Sequence, residues 1–133
     1  MAGIICADTL QDGAGNSTAM DNAIYGSAKA WVTFTGVSSG VVVGSYNVSS
    51  VTKNSTGDFT INFTNALPNA NYAALATAIS YTTADVRVVM DLKGSAYNGT
   101  PSLKTTTQCE MIYGSTAASA LYDCGYASCA FLC

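Results

Sequence analysis

The segment that most constrains the fold is Asp58–Thr64, in which polar and apolar residues alternate without interruption. Successive side chains of a β-strand point to opposite faces, so one face collects the apolar side chains, Phe59, Ile61 and Phe63. The residues just before this segment, Lys53–Gly57, are a dense cluster of turn formers. The pattern therefore predicts a β-hairpin whose arms are Ser50–Lys53 and Asp58–Thr64.

Six further strands are predicted from runs of β-forming residues between turn signals. They are Ala30–Thr35, Val41–Val48, Tyr72–Tyr81, Asp85–Leu92, Thr105–Tyr113 and Ala120–Leu132. Val41–Val48 is rich in β-branched residues, so we expect it to be buried on at least part of both faces. A break is expected in the last strand at Gly125. The sequence thus predicts an all-β fold: an antiparallel, jelly-roll-like β-sandwich of about eight short strands with little helix.

Residues 1–25 differ from the rest of the chain because they contain few large apolar residues and a turn signal at Asp12–Asn16. We interpret them as an N-terminal docking arm with one or two short strands, followed by a β-sandwich domain at residues 26–133. The alternative is that they form an ordinary N-terminal hairpin of the main domain.

The chain has 133 residues, of which 10% are charged, and a formal net charge of −3. Soluble domains average about 25% charged residues, so part of the apolar surface is expected to meet other chains. Without a basic cluster we expect no nucleic-acid partner, and without an apolar run of about 20 residues no membrane insertion. The first ten residues lack the pattern of a secretory signal, so we expect synthesis in a cytoplasm without export by that route.

The chain contains no His, which excludes nucleophilic catalysis by a Ser–His or Cys–His couple and the usual zinc constellations. Its eight acidic residues are scattered along the sequence. Arg87 lies between Asp85 and Asp91, which we interpret as a solvated strand face with an ion pair across strands rather than a hydrolytic dyad. We therefore predict that the protein is not an enzyme and binds no metal or cofactor.

Five cysteines are present, and we interpret most of them as small buried hydrophobic residues. The alternative is a disulfide, with the pairing left open among Cys109, Cys124, Cys129 and Cys133. Three tyrosines lie near predicted strand ends or loops and are candidates for outward, partner-contacting aromatic residues: Tyr81, Tyr97 and Tyr113. Their alternative role is to form amphipathic edges of the core.

Four short motifs follow one another in residues 26–72. Gly26–Gly36 reads GSAKAWVTFTG, Ser45–Thr52 reads SYNVSSVT, Asn54–Thr64 reads NSTGDFTINFT and Ala66–Tyr72 reads ALPNANY. In order and spacing these motifs resemble the signature of a family of small tail-fibre-like and virion-surface proteins of bacteriophages, which begins GSAKAWVNFNG and ends ALPNANY. Residues 73–133 lie outside the resemblance.

The resemblance implies a non-enzymatic structural protein of the virion, made in the host cytoplasm. We expect a homotrimer, a short fibre or knob that docks on other virion proteins through residues 1–25. Its loops in residues 73–133 would face outward, with a host surface glycan as a candidate contact. The alternative is a capsid decoration or cement protein that stabilises the phage head. A polysaccharide-degrading enzyme is a third hypothesis, which the absence of His and of clustered carboxylates disfavours.

Overall fold

The computed structural model describes residues 7–20, 23, 26–37, 39–81, 88–93, 103–115 and 120–133. The protein is nearly all β, as the sequence predicts, and its sheets are antiparallel and sandwich-like. The strands are β1 (Thr9–Gln11), β2 (Ser17–Ala19), β3 (Ala28–Thr35), β4 (Val41–Tyr46), β5 (Val48–Ser55), β6 (Asp58–Phe63), β7 (Ala73–Ser80), β8 (Val88–Leu92), β9 (Gln108–Ser115), β10 (Ala120–Leu121) and β11 (Cys124–Leu132).

Two larger sheets make up the body of the protein. Sheet I has the strand order β4-β3-β11-β7, and sheet II has the order β10-β9-β6-β5 with β8 also paired to β9. The hairpin predicted from the alternating segment is confirmed as β5–β6, with Val51 opposite Ile61 and Gly57 in the left-handed conformation at its turn (φ 66°). Each of the eight predicted strands has a counterpart in these sheets, although the ends differ.

The core lies between the two sheets and consists largely of the apolar side chains that the alternation places on one face. Phe59 and Ile61 are fully buried, and Phe63 nearly so. Aromatic rings meet across the sheets: the ring centroids of Phe34 and Phe59 are 5.1 Å apart, and those of Phe63 and Phe131 are 5.0 Å apart. Edge-to-face pairs of this kind stabilise by about 0.5–1.5 kcal/mol beyond the burial of their area.

The prediction of one continuous, buried strand over Val41–Val48 is wrong. β4 ends at Tyr46, and Asn47 takes a left-handed conformation (φ 54°) that redirects the chain from sheet I into sheet II. The Asn47 side chain holds this corner because its amide group donates to the carbonyl oxygens of Lys29 and Asn65 and accepts from the Asn65 N–H. Among the described residues β4 pairs only with β3, so it is an edge strand. Its residues are exposed on both faces of the sheet.

Two other boundaries differ from the prediction. The break in the last predicted strand falls at residues 122–123, between β10 and β11, and the strand resumes at Cys124. Gly125 instead lies at an irregularity in the pairing of β11 with β7. The proposed ion pair of Arg87 falls on residues outside the described ranges or without described side chains.

The N-terminal segment forms a separate two-stranded sheet, β1–β2, in which Leu10 is opposite Thr18. Its turn is closed by the Asp12 carboxylate, which accepts from the N–H groups of Ala14 and Asn16, each at 2.9 Å. Every residue of β1 and β2 is exposed. An isolated two-stranded hairpin is marginally stable in water, so this segment contributes little stability by itself.

Candidate functional site

The outer face of sheet I carries a row of apolar side chains across its four strands, and those from β4, β3 and β7 are large. Strand pairing aligns Tyr46 with Trp31, Trp31 with Ala130, and Ala130 with Leu75. Trp31 is 43% exposed, and Tyr46 and Leu75 are each 59% exposed. Since directly opposed residues in an antiparallel pair share a face, these side chains form one continuous surface.

A second apolar pair lies farther along the same face. Tyr126 of β11 is opposite Ile79 of β7, and both side chains are more than half exposed. Between this pair and the first row lies a row of small and polar residues, Gly44, Thr33, Ser128 and Thr77. We refer to Tyr46, Trp31, Leu75, Tyr126, Ile79 and the small residues between them as the apolar face.

The apolar face is a trough rather than a flat surface. Strand β11 contributes the short side chains of Ser128 and Ala130, whereas Trp31 and Leu75 lie on either side and border an open trough of about 450 Å³. The floor is polar at one point, where the hydroxyls of Thr33 and Ser128 are 3.0 Å apart and hydrogen-bonded. A concave, largely apolar surface of this kind fits a complementary protein surface.

The four strands of sheet I contain one charged residue, Lys29, near the start of β3. Its ammonium group donates to the Ser27 hydroxyl at 2.9 Å. The face can therefore be covered by another protein without burying an unpaired carboxylate, which would oppose association.

The outer face of sheet II, in contrast, is polar and carries charged side chains. Lys93 donates to Asp58 and to Glu110, both at 2.8 Å, and the Asn54 amide group also donates to both carboxylates. Thr60, which is nearly buried, accepts a further hydrogen bond from Asn54 at 2.9 Å. The polar groups of this face bond to one another, as expected of a surface that stays in water.

The interactions within this cluster shift the pKa values of Asp58 and Lys93. Burial opposes ionisation of Asp58, but the hydrogen bonds from Lys93 and Asn54 outweigh it and lower the pKa of that carboxyl. The same hydrogen bonds to Asp58 and Glu110 raise the pKa of Lys93. Asp58 is 6% exposed and bound on both oxygens, so it is poorly placed to act as a catalytic acid or base.

The outcome differs among the three candidate tyrosines. Tyr81, just after β7, is 64% exposed and is available for contact. Tyr97 lies outside the described residues. The prediction that Tyr113 faces outward is wrong, because Tyr113 is opposite Met90, packs in the core and is 1% exposed.

All four candidate disulfide cysteines are free thiols. Cys109, Cys124 and Cys129 are buried, as expected of small hydrophobic residues, and Cys133 is partly buried. Burial raises the pKa of the Cys109 thiol to about 11 and that of Cys129 to about 12. These thiols are therefore protonated near neutral pH and weak as nucleophiles or metal ligands.

The described part of the chain contains no cluster of three or more Cys, Asp or Glu side chains arranged to hold a metal ion. Within the same ranges, no helix has the length and apolar character needed to cross a membrane.

Sequence reasoning did not identify the apolar face. One signal was present, since Trp31 alternates with the buried Val32 and so had to point away from the core. Leu75 and Ile79 alternate with alanines, but the alternation alone does not tell which set faces the core.

Fold and surface together define an all-β, sandwich-like protein with an apolar outer face on a sheet whose strands contain a single charged residue, Lys29. Comparison with known proteins places it in no family, because no protein-family model, curated protein or solved structure matches the chain.

Proposed function

We propose that the protein is a non-enzymatic structural component of a bacteriophage virion, a short homotrimeric fibre or knob on the particle surface. The observation that carries the proposal is the apolar face, which leaves Trp31, Leu75 and Ile79 exposed in the isolated chain. A folded domain with so large an uncharged surface is suited to work within an assembly. The similarity of residues 26–72 to phage virion-surface proteins supports a viral assembly.

The N-terminal segment is the proposed docking element. Among the described residues its hairpin pairs with neither larger sheet and its strand residues are exposed, so these two strands do little to hold the segment to the body of its own chain. Deletion of residues 2–25 is expected to leave a folded β-sandwich that no longer joins the particle. Incorporation of the truncated protein at the normal level would contradict the role of the arm.

The alternative is a decoration or cement protein that stabilises the capsid. The two roles differ in copy number and in the effect of loss. A fibre is expected in tens of copies per particle, and its loss should abolish adsorption while heads stay intact. A cement protein is expected in hundreds of copies, and its loss should lower the temperature at which heads release their genome. Quantitative mass spectrometry of purified particles distinguishes the two.

The proposal also includes direct contact between the protein and a host surface glycan. Tyr81 supports it, because an exposed ring can stack on a sugar. We expect Tyr81→Ala particles to assemble normally and to adsorb more slowly, whereas unchanged adsorption would remove Tyr81 from this role. Turnover of host polysaccharide by the purified protein would contradict the non-enzymatic role.

A further inference from the structure

We propose that the apolar face is the surface through which copies of this chain associate, each face being covered by the same face of neighbouring copies. This inference rests on the homo-oligomer in the proposed function, but not on the virion as its location. Three independent features of the face favour a second copy as the occupant: its area, its charge and its edge.

The apolar area matches what a stable interface requires. A standard interface buries about 800 Å² on each partner, of which about 65% is apolar in homo-oligomers, so each copy needs about 500 Å² of apolar surface. Trp31, Tyr46 and Tyr126 are 43%, 59% and 52% exposed, and Leu75 and Ile79 are 59% and 68% exposed. Since an aromatic side chain buries ~150–250 Å² when fully covered, these five residues offer on the order of 500 Å².

The charge distribution favours the same chain over an oppositely charged partner. Two identical faces repel one another when they carry charge, and this sheet contains Lys29 alone, at one end of β3. The strands of sheet II, by contrast, contain Lys53, Asp58, Asp91 and Glu110. Copies that meet through sheet I therefore leave the charged sheet in solvent.

Strand β4, at one edge of sheet I, contains none of the residues that usually keep edge strands apart. β4 contains three consecutive valines and neither Lys nor Pro, and Val41 and Val43 are 54% and 61% exposed. Soluble proteins usually protect such an edge with charge, Pro or a covering segment. A neighbouring copy packed against the apolar face and its β4 edge would provide that cover. The Trp31 and Leu75 side chains of one copy can then pack against the trough that contains Ser128 in the next copy.

The test is the mass of the purified full chain by light scattering at micromolar concentration. The expected mass is a multiple of 13.6 kDa. A dimer would support the interface and contradict the trimer, whereas a trimer would support both. The double variant Leu75→Glu/Ile79→Lys keeps the net charge but places two charges in the apolar face. We expect it to be monomeric, with a dissociation constant raised at least about 100-fold. Leu121→Glu, at a 40% exposed leucine in β10 of sheet II, is the matched control and should keep the wild-type mass.

Folding of the variants is checked by circular dichroism. If the double variant does not fold, Thr77→Arg replaces it, because Thr77 is already exposed and polar and lies in the trough. Trp31 emission provides a second readout, since it should shift to longer wavelength when dissociation exposes the ring.

The outcomes separate the two proposals. A monomeric wild-type chain overturns both the trimer and the interface. An oligomer that survives Leu75→Glu/Ile79→Lys and Thr77→Arg overturns the interface and leaves the trimer in place. Neither outcome decides the virion location, which depends on detecting the protein in purified particles.

Discussion

Gly57 lies at the turn of the β5–β6 hairpin and ties that turn to the rest of sheet II. Its carbonyl accepts from the Tyr113 N–H at 2.8 Å, and its N–H donates to the Asp123 carboxylate at 3.1 Å. A methyl group at this position would lie 2.4 Å from the Tyr113 carbonyl oxygen and 2.6 Å from that of Tyr122. Both obstacles are backbone atoms, which cannot rotate away as a side chain can.

The expected cost of Gly57→Ala has two parts. A left-handed conformation (φ 66°) costs a residue with a side chain about 1–2 kcal/mol. Overpacking against a fixed neighbour typically costs about 1–3 kcal/mol more. The free energy of unfolding should therefore fall by about 2–5 kcal/mol, a large share of the ~5–15 kcal/mol typical of whole domains.

Gly40→Ala is the matched control because Gly40 also has a positive φ of 76°. A methyl group there would approach Val51 no closer than 3.1 Å. Guanidinium denaturation followed by circular dichroism, at one protein concentration so that any self-association is held constant, gives both values. The steric argument further requires Gly57→Asn to keep the overpacking cost of about 1–3 kcal/mol, because Asn tolerates the backbone conformation but not the clash. If Gly57→Ala costs no more than Gly40→Ala, the close approach to Tyr113 and Tyr122 is not limiting.

Three further predictions concern buried polar and ionisable groups. Tyr113→Phe should leave the stability unchanged or raise it by up to about 1 kcal/mol, because the hydroxyl is buried without a hydrogen-bond partner among the described residues. Tyr72→Phe, at an equally buried ring whose hydroxyl donates to the carbonyls of Thr105 and Gln108, should instead cost about 1 kcal/mol, and equal denaturation midpoints for the two variants would refute the contrast. Because the pKa of Asp58 is lowered in the folded protein, its contribution is complete above the unfolded value near 3.8 and is lost as the pH falls through the folded pKa. Asp58→Asn should thus cost about 1–3 kcal/mol at pH 7 and progressively less as the pH falls below 3.8, and a cost independent of pH would contradict the ion pair. In a Cys6→Ser background, a thiol reagent at pH 8 should modify the partly exposed Cys133 first and the buried Cys109, Cys124 and Cys129 only on unfolding, and rapid modification of all four would show that the core opens readily.

The hairpin and its core face could be predicted from sequence because two local signals agree there. The alternation around Ile61 fixes which residues share a face, and the turn formers before Asp58 fix where the chain reverses. Both features depend on neighbouring residues alone, and the structure reproduces them.

The apolar face could not be predicted, because its exposure depends on strand order. β7 and β4 are both rich in apolar residues, which usually indicates burial, yet both lie at the edges of sheet I. In β7, Ala74, Ala76 and Ala78 pack toward the core, while Leu75 and Ile79 point outward. The burial of Tyr113 was not predicted for a related reason. Tyr113 lies near a predicted strand end, and the sequence does not reveal that β8 and β10 pair with β9 on both sides of that end.

The position of β11 in the middle of sheet I has a consequence for how the molecule is made. Thr33 and Ser128, whose hydroxyls bond across β3 and β11, are 95 residues apart in the chain. Such non-local pairing slows folding, since β3 and β7 have no common neighbour until β11 inserts between them. The same arrangement lends itself to a split molecule, in which a peptide spanning residues 120–133 is supplied separately and completes a fragment that lacks it. If mixing the peptide with the fragment restores the native circular dichroism spectrum, insertion of β11 can serve as a controllable last step of assembly.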